Sequence, residues 1–108
     1  MKVKATKFFQ KEIKRLRKKY ISLEDDYNNL VDDLEENPYL GTPIGNDCYK
    51  VRLRITSKNK GKSGGARVIT HIKVVKNTIY LLSIYDKSQQ ENVSDAQIKS
   101  WLKDLENE

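Results

Sequence analysis

Cysteine and histidine each occur once in this chain of 108 residues, as Cys48 and His71. One cysteine excludes an intrachain disulfide and a cysteine-based zinc site within a single chain, and one histidine excludes a two-histidine metal centre. Such a composition suits a reducing cytoplasm. Proline is scarce as well, with only Pro38 and Pro43, both inside the segment Asn37–Asp47. No apolar run approaches the roughly 18 residues of a membrane-spanning helix. The start MKVKATKFFQ also lacks the apolar stretch of a secretory signal. Between Lys50 and Lys76 there is no acidic residue at all.

What is present describes one folded domain over residues 1–108. Hydrophobic residues make up 37% and charged residues 33%, a balance that argues for a packed core over disorder. The net charge of +6 resolves into three blocks. Residues 10–20 carry six bases and one acid, residues 22–36 carry seven acids and no base, and the stretch from Lys50 to Lys76 holds nine bases. The first two blocks fit neighbouring helices of opposite charge. The third leaves its positive charge uncompensated over 27 residues and fits a polyanionic partner, although a merely solubilising basic surface has the same composition.

Periodicity supplies the elements. A short strand is expected at Val3–Lys7, and Phe9, Ile13, Leu16 and Tyr20 then recur at helical spacing. Ser22 is a candidate N-cap, with Asp25 as its partner, for a second helix whose stripe is Leu23, Tyr27, Leu30, Val31 and Leu34. This helix ends near Glu36, before Pro38. Asn37–Asp47 reads as a connecting loop. Tyr49, Val51, Leu53 and Ile55 alternate with Lys50, Arg52 and Arg54, as in a strand with one apolar and one basic face. Further strands are expected at Ala66–Val74 and Thr78–Tyr85, with Lys76–Asn77 at the turn between them. Val93, Ser94, Gln97 and Ile98 spell a capping box and hydrophobic staple for a last helix carrying Trp101, Leu102 and Leu105. The expected fold is α+β: an N-terminal helical hairpin packed on a twisted, mainly antiparallel four-stranded sheet, with a short C-terminal helix.

The basic strand is the clearest link to chemistry. Lys50, Arg52 and Arg54 would project at intervals of about 6–7 Å, a spacing that matches a phosphate backbone. A solvated face on a one-sided sheet has the same pattern. Lys58, Lys60 and Lys62 charge a glycine-rich connection, and Lys73 extends the basic stretch, so these join Lys50 and Arg52 as candidate RNA contacts. Arg67, Tyr85 and Lys87 are placed to gather with Arg54 around a phosphate. His71 has the most convenient unperturbed pKa for proton transfer, but lies about 13 Å from Arg67 along an extended strand. Tyr80 differs in parity from Tyr85 and reads as core. The substring GKS is not a nucleotide-binding loop, because Thr56 stands where the first glycine of that motif is required and a strand follows. No paired carboxylates in the basic region suggest a metal-dependent nuclease.

The ordered fragments YKVRLR, GKSGGARVI and YLLSIYDKS, preceded by FFQKEIKRLRKKYISLEDDYNNLVDDLEENPYLGTPIG, resemble RelE/HigB-like toxins of bacterial type II toxin–antitoxin systems, within the RelE/ParE superfamily. The resemblance covers nearly the whole chain. It implies a cytoplasmic toxin neutralised by a cognate antitoxin. It also implies a ribosome-dependent endoribonuclease that cuts A-site mRNA without metal or cofactor, by 2′-hydroxyl attack that leaves a 2′,3′-cyclic phosphate. Operator DNA is then met only through an antitoxin complex, and no membrane is involved. The family's basic strand position falls on Lys50, Arg52 or Arg54, its strand arginine on Arg67, and its terminal strand motif on Tyr85 and Lys87. No tyrosine follows Tyr85, whereas some family members use one beyond the last strand. ParE-like gyrase poisons share the fold without the nuclease activity, and a ribosome- or RNA-binding module is the remaining alternative.

Overall fold

The computed structural model describes residues 1–57, 65–90 and 92–107. Its elements follow in the order β1 (Lys2–Ala5), α1 (Lys7–Lys19), α2 (Leu23–Glu36), β2 (Thr42–Gly45), β3 (Cys48–Leu53), β4 (Ala66–Lys73), β5 (Thr78–Asp86) and α3 (Asp95–Leu105). The strands form one sheet in the order β1-β5-β4-β3-β2. All neighbours are antiparallel except β1, which pairs parallel to β5 from Lys2↔Thr78 to Ala5↔Leu81.

The sheet thus has five strands where four were expected. The added strand, β2, lies within the segment read as a loop. Pro43 is tolerated there because β2 is an edge strand and needs no donor on its open side. Asn46 and Asp47 join β2 to β3 with φ values of 56° and 57°, a two-residue turn whose left-handed backbone Asn and Asp accept readily.

Phe9, Ile13 and Leu16 of α1 and Leu23, Leu30 and Leu34 of α2 bury the predicted stripes against Val51, Leu53, Val68, Ile79, Leu81 and Ile84. Thr6 caps α1 by accepting from the Phe9 amide at 3.2 Å. The expected cap at Ser22 differs: Ser22 has helical backbone angles and makes no side-chain cap. Its hydroxyl instead donates to Asp26 at 2.7 Å and accepts from the Ser57 amide at 2.8 Å. Asp26 in turn accepts from the amide and hydroxyl of Thr56 at 2.9 and 2.6 Å, which ties α2 to the chain leaving β3.

The opposite sheet face is partly covered by α3. Ile98 packs with Cys48, Ile69, Tyr80, Leu82 and Tyr85, and Trp101 stacks on Phe8 with ring centroids 5.9 Å apart. Ser94 and Gln97 form the expected capping box, with the Gln97 amide donating to Ser94 Oγ at 3.1 Å and the Ser94 amide to Gln97 Oε1 at 3.0 Å. With helices over both of its faces, β5 is buried along all nine residues.

Register decides which side chains share a face. Thr70 pairs with Leu81 and Ile69 with Ser83, so β5 carries an extra residue at Leu82. That bulge reverses the alternation beyond it. Tyr80 and Tyr85 therefore lie on the same face, against the expectation from simple parity, while Tyr80 is buried as expected.

Candidate active site

Three neighbouring strands place Arg52, Arg67 and Tyr85 in one cross-strand row through the pairs Arg52↔Arg67 and Arg67↔Tyr85. Lys50 belongs to the next row, opposite Ile69. The chain reaches β4 through Gly65, at φ +97°, where a Cβ would stand 2.7 Å from the Leu53 carbonyl oxygen. Only glycine allows that approach, and it sets Arg67 two residues later beside Arg52.

Arg67 is 7% exposed, and its guanidinium donates from Nη1 to the Ala66 carbonyl at 3.1 Å. Among the described residues no carboxylate forms an ion pair with it. Beside it, the buried Tyr85 hydroxyl has no hydrogen-bond partner among the described residues. Burial pushes the Tyr85 phenol above its ordinary value, and the Arg67 charge opposes this only in part, so the group is a neutral donor at pH 7. A buried cation without a counter-ion next to a buried donor without an acceptor is costly in the free protein. An anionic oxygen placed there satisfies both.

Arg67, with Tyr85 buried behind it in the same row, borders a cleft of about 370 Å³ lined also by Thr42, Lys50, Arg52, Lys87 and Asn92. Among the described residues the lining holds four cationic side chains and neither a carboxylate nor an imidazole. Lys87 is placed by its backbone: its amide donates to the Gly65 carbonyl at 3.1 Å. The preceding Asp86, buried at the end of β5, accepts from the Ser88 amide and hydroxyl at 3.0 and 2.8 Å and from Tyr20 Oη at 2.5 Å. Asp86 and Tyr20 thus hold the turn that carries Lys87, with Lys19 Nζ 4.0 Å from the same carboxylate.

The structure brings together Lys50, Arg52, Arg67, Tyr85 and Lys87 and separates the others. Arg54 lies beyond the end of β3 and lines a second groove with Asp26, where its charge helps hold the Asp26 carboxyl down. His71 sits at the far end of β4, with Nδ1 3.0 Å from the Asn46 carbonyl and 3.5 Å from Cys48 Sγ. Burial lowers its pKa, which keeps the ring neutral. Burial, with Asp47 adding to it, pushes the Cys48 thiol up to about 12. Lys73 lines a separate hollow of about 240 Å³ with Lys4, Lys76 and Tyr80. Lys58, Lys60 and Lys62 lie outside the described residues.

Sequence reasoning missed Thr42, Asn92, Asp86 and Tyr20. Thr42 was hidden in the supposed loop. Asp86 had a legible signal, because Asp followed two residues later by Ser is the pattern of a side-chain-closed turn. Tyr20 was seen only as part of an apolar stripe, and Asn92 had no distinguishing signal.

Among the described residues, no cluster of three or more His, Cys, Asp or Glu is placed to hold a metal ion. No helix among them is long and apolar enough to cross a membrane.

Comparison with known proteins agrees with this architecture. A mutant of the E. coli toxin RelE in the free state, in which two arginines are replaced by alanine, superimposes with a TM-score of 0.59 at 18% identity, over 83% of this chain and 86% of that one. A metal-bound toxin from Helicobacter pylori gives 0.52 at 20% identity, over 83% and 98%. At these identities the likeness is one of fold. The family model described as the RelE toxin of the RelE/RelB toxin–antitoxin system matches residues 1–106, and the chain therefore belongs to that toxin family.

Proposed function

We propose that this chain is a cytoplasmic toxin that cleaves ribosome-bound mRNA and is held inactive by a cognate antitoxin. The observation that carries the reading is the pair formed by Arg67 and Tyr85, which among the described residues is a buried guanidinium without a counter-ion beside a buried hydroxyl without a partner, at a cleft lined by Lys50, Arg52 and Lys87. This arrangement suits a phosphodiester at the moment when negative charge builds on its non-bridging oxygens.

In this reading the 2′-hydroxyl of the nucleotide before the scissile bond attacks phosphorus. The attacking hydroxyl gives its proton to water, the P–O5′ bond breaks, a 2′,3′-cyclic phosphate remains, and the departing 5′-oxygen takes up a proton from water. Arg67 and Arg52 direct planar donors at the equatorial oxygens, and the Tyr85 phenol donates a further hydrogen bond. Lys50 and Lys87 hold the flanking phosphates. Among the described residues the cleft lining offers cationic and neutral donors, so the contribution of these residues is electrostatic. Alignment of that hydroxyl then falls to the ribosome, which fixes the mRNA in the A site.

The test compares programmed ribosomes with the same mRNA free in solution, followed by primer extension and analysis of the 3′ ends. Cleavage is expected on the ribosome at a rate at least about 100-fold above that on naked RNA. It should leave cyclic phosphate ends and persist when free metal is chelated to a level that preserves the ribosomes. Growth arrest with intact mRNA and gyrase-linked DNA breaks would overturn the reading in favour of a gyrase poison.

A further inference from the structure

Lys4, Lys73 and Lys76 come from three places in the fold, namely β1, the last residue of β4 and the turn that leads into β5. They meet around the hollow of about 240 Å³, with Tyr80 beside them and Leu105 and Glu106, at the C-terminal end of α3, adding to the lining. Register explains the meeting. Lys4 lies opposite Tyr80, and Lys73 lies opposite Thr78, two residues before Tyr80 on β5. Among the described residues the three ammonium groups form no ion pair and no hydrogen bond. Glu106 pairs with none of them, so the hollow keeps an excess of positive charge. Tyr80 is only 8% exposed, and its hydroxyl has no hydrogen-bond partner among the described residues. Cations gathered without an anion repel one another, and a phenol so deeply buried loses most of its contact with water. One anion in the hollow relieves both.

We propose that this hollow is a second anion site, built for a phosphate group that does not belong to the RNA strand in the cleft. The donor set points to phosphate. An ammonium is a compact point charge that meets an anionic oxygen from any direction, whereas a planar carboxylate is matched best by the forked donors of arginine. The described lining offers three lysines and a phenol, arriving from separate elements, and no arginine, which suits a tetrahedral group. The separation from the cleft follows from the fold. Arg67 and Lys73 lie on the same side of β4, six residues and thus about 20 Å apart. Between them α3 crosses that face, with Ile98 packed on Ile69, Tyr80 and Tyr85. A strand held at Arg67 cannot follow the sheet to Lys73 without lifting α3. The phosphate in the hollow is therefore supplied by a separate RNA segment or by a free phosphate compound. No residue is shared between the two sites, so this one stands whether or not the cleft cuts RNA.

The experiment titrates the full-length chain, labelled for NMR, with inorganic phosphate and, at matched ionic strength, with succinate as a carboxylate control. Phosphate should shift the amides of Lys4, Lys73, Lys76 and Tyr80 with a midpoint of their own, distinct from that of Arg67 and Lys87, and bind there at least about fivefold more tightly than succinate. Tyr80→Phe keeps the packed ring and should weaken phosphate in the hollow about fivefold, the worth of one hydrogen bond. Lys4→Gln combined with Lys76→Gln, both exposed, should weaken it about tenfold, and the cleft resonances should respond as in the wild type. A short RNA duplex then separates the sources: competition for the same amides assigns the site to an RNA phosphate, and a duplex that leaves them unmoved assigns it to a free phosphate compound. Shifts confined to the cleft, or phosphate affinity unchanged in both variants, would overturn the proposal. Equal binding of succinate would also overturn it, in favour of an acidic protein segment.

Discussion

Arg67 and Tyr85 stand opposite each other on β4 and β5, where a buried guanidinium bonded only to the Ala66 carbonyl among the described residues faces a buried hydroxyl that no described residue satisfies. Folding alone does not favour such a pair, because a buried hydroxyl without a partner costs about 1–3 kcal/mol. Tyr85→Phe should therefore leave stability unchanged or raise it by about 1 kcal/mol. In the same variant single-turnover cleavage should fall about 100-fold, the usual loss when one donor to a developing oxyanion is removed. Urea denaturation and ribosomal cleavage measured on one preparation check both halves. A loss of stability together with activity would assign the hydroxyl a structural role.

Arg67→Lys separates charge from geometry. The lysine keeps one positive charge and loses the planar pair of donors. Cleavage at saturating toxin should drop about 100-fold or more, while ribosome association changes little. The check is a rate measured beside a binding isotherm at several salt concentrations. Lys50→Ala and Lys87→Ala, by contrast, should weaken association and flatten its salt dependence.

At Gly65 the positive φ and the approach to Leu53 act together. Gly65→Ala should destabilise the fold by about 2 kcal/mol, since the alanine must either adopt a strained backbone or push β3 and β4 apart. Because the same junction sets Arg67 beside Arg52, cleavage should fall further than the unfolded fraction accounts for. Denaturant midpoints and activity per folded molecule distinguish the two contributions.

Asp26 gives a pH signature. Burial would raise its pKa, but hydrogen bonds from Thr56 and Ser22, with Arg54 nearby, outweigh it and hold the carboxyl below its ordinary value of 3.8. A carboxyl whose pKa is lower folded than unfolded makes a contribution that is complete above the unfolded value and is lost as pH falls through the folded one. Asp26→Asn should cost about 1–3 kcal/mol at pH 7. The difference between wild type and variant should shrink as pH falls below 3.8, towards and through the lowered folded value. Urea midpoints from pH 7 down to the acid transition measure it, and a difference that stays constant with pH would contradict the assignment.

How far these features were legible beforehand depended on whether local chemistry decided them. The stripe Phe9, Ile13, Leu16 is buried as its period requires, and Ser94 with Gln97 caps α3 as spelled. The alternation in β3 placed Lys50 and Arg52 on the face opposite the helical hairpin, but it could not show that β3 ends at Leu53, which turns Arg54 towards Asp26. The Leu82 bulge has no signature in a strand of uniformly apolar and aromatic residues, and it alone brings Tyr85 round to the face of Arg67. The two prolines and two glycines of Asn37–Asp47 read as a loop, and that composition hid the edge strand β2 and the turn at Asn46–Asp47. Ser22 stood at a helix start, where capping is the local rule, yet the tertiary partners Asp26 and Ser57 took its hydroxyl instead.

The parallel pairing of β1 with β5 bears on when the protein becomes dangerous to the cell that makes it. The hydroxyl of Thr6, just after β1, donates to the Leu81 carbonyl, a contact spanning 75 positions. A contact of such long range needs both ends of the chain, and the loop-closure entropy it must offset makes its formation slow. Arg67 and Tyr85 come from the two strands that complete the sheet, so shortened translation products that stop before β5 lack both the fold and half of this pair. The antitoxin therefore has only finished chains to restrain.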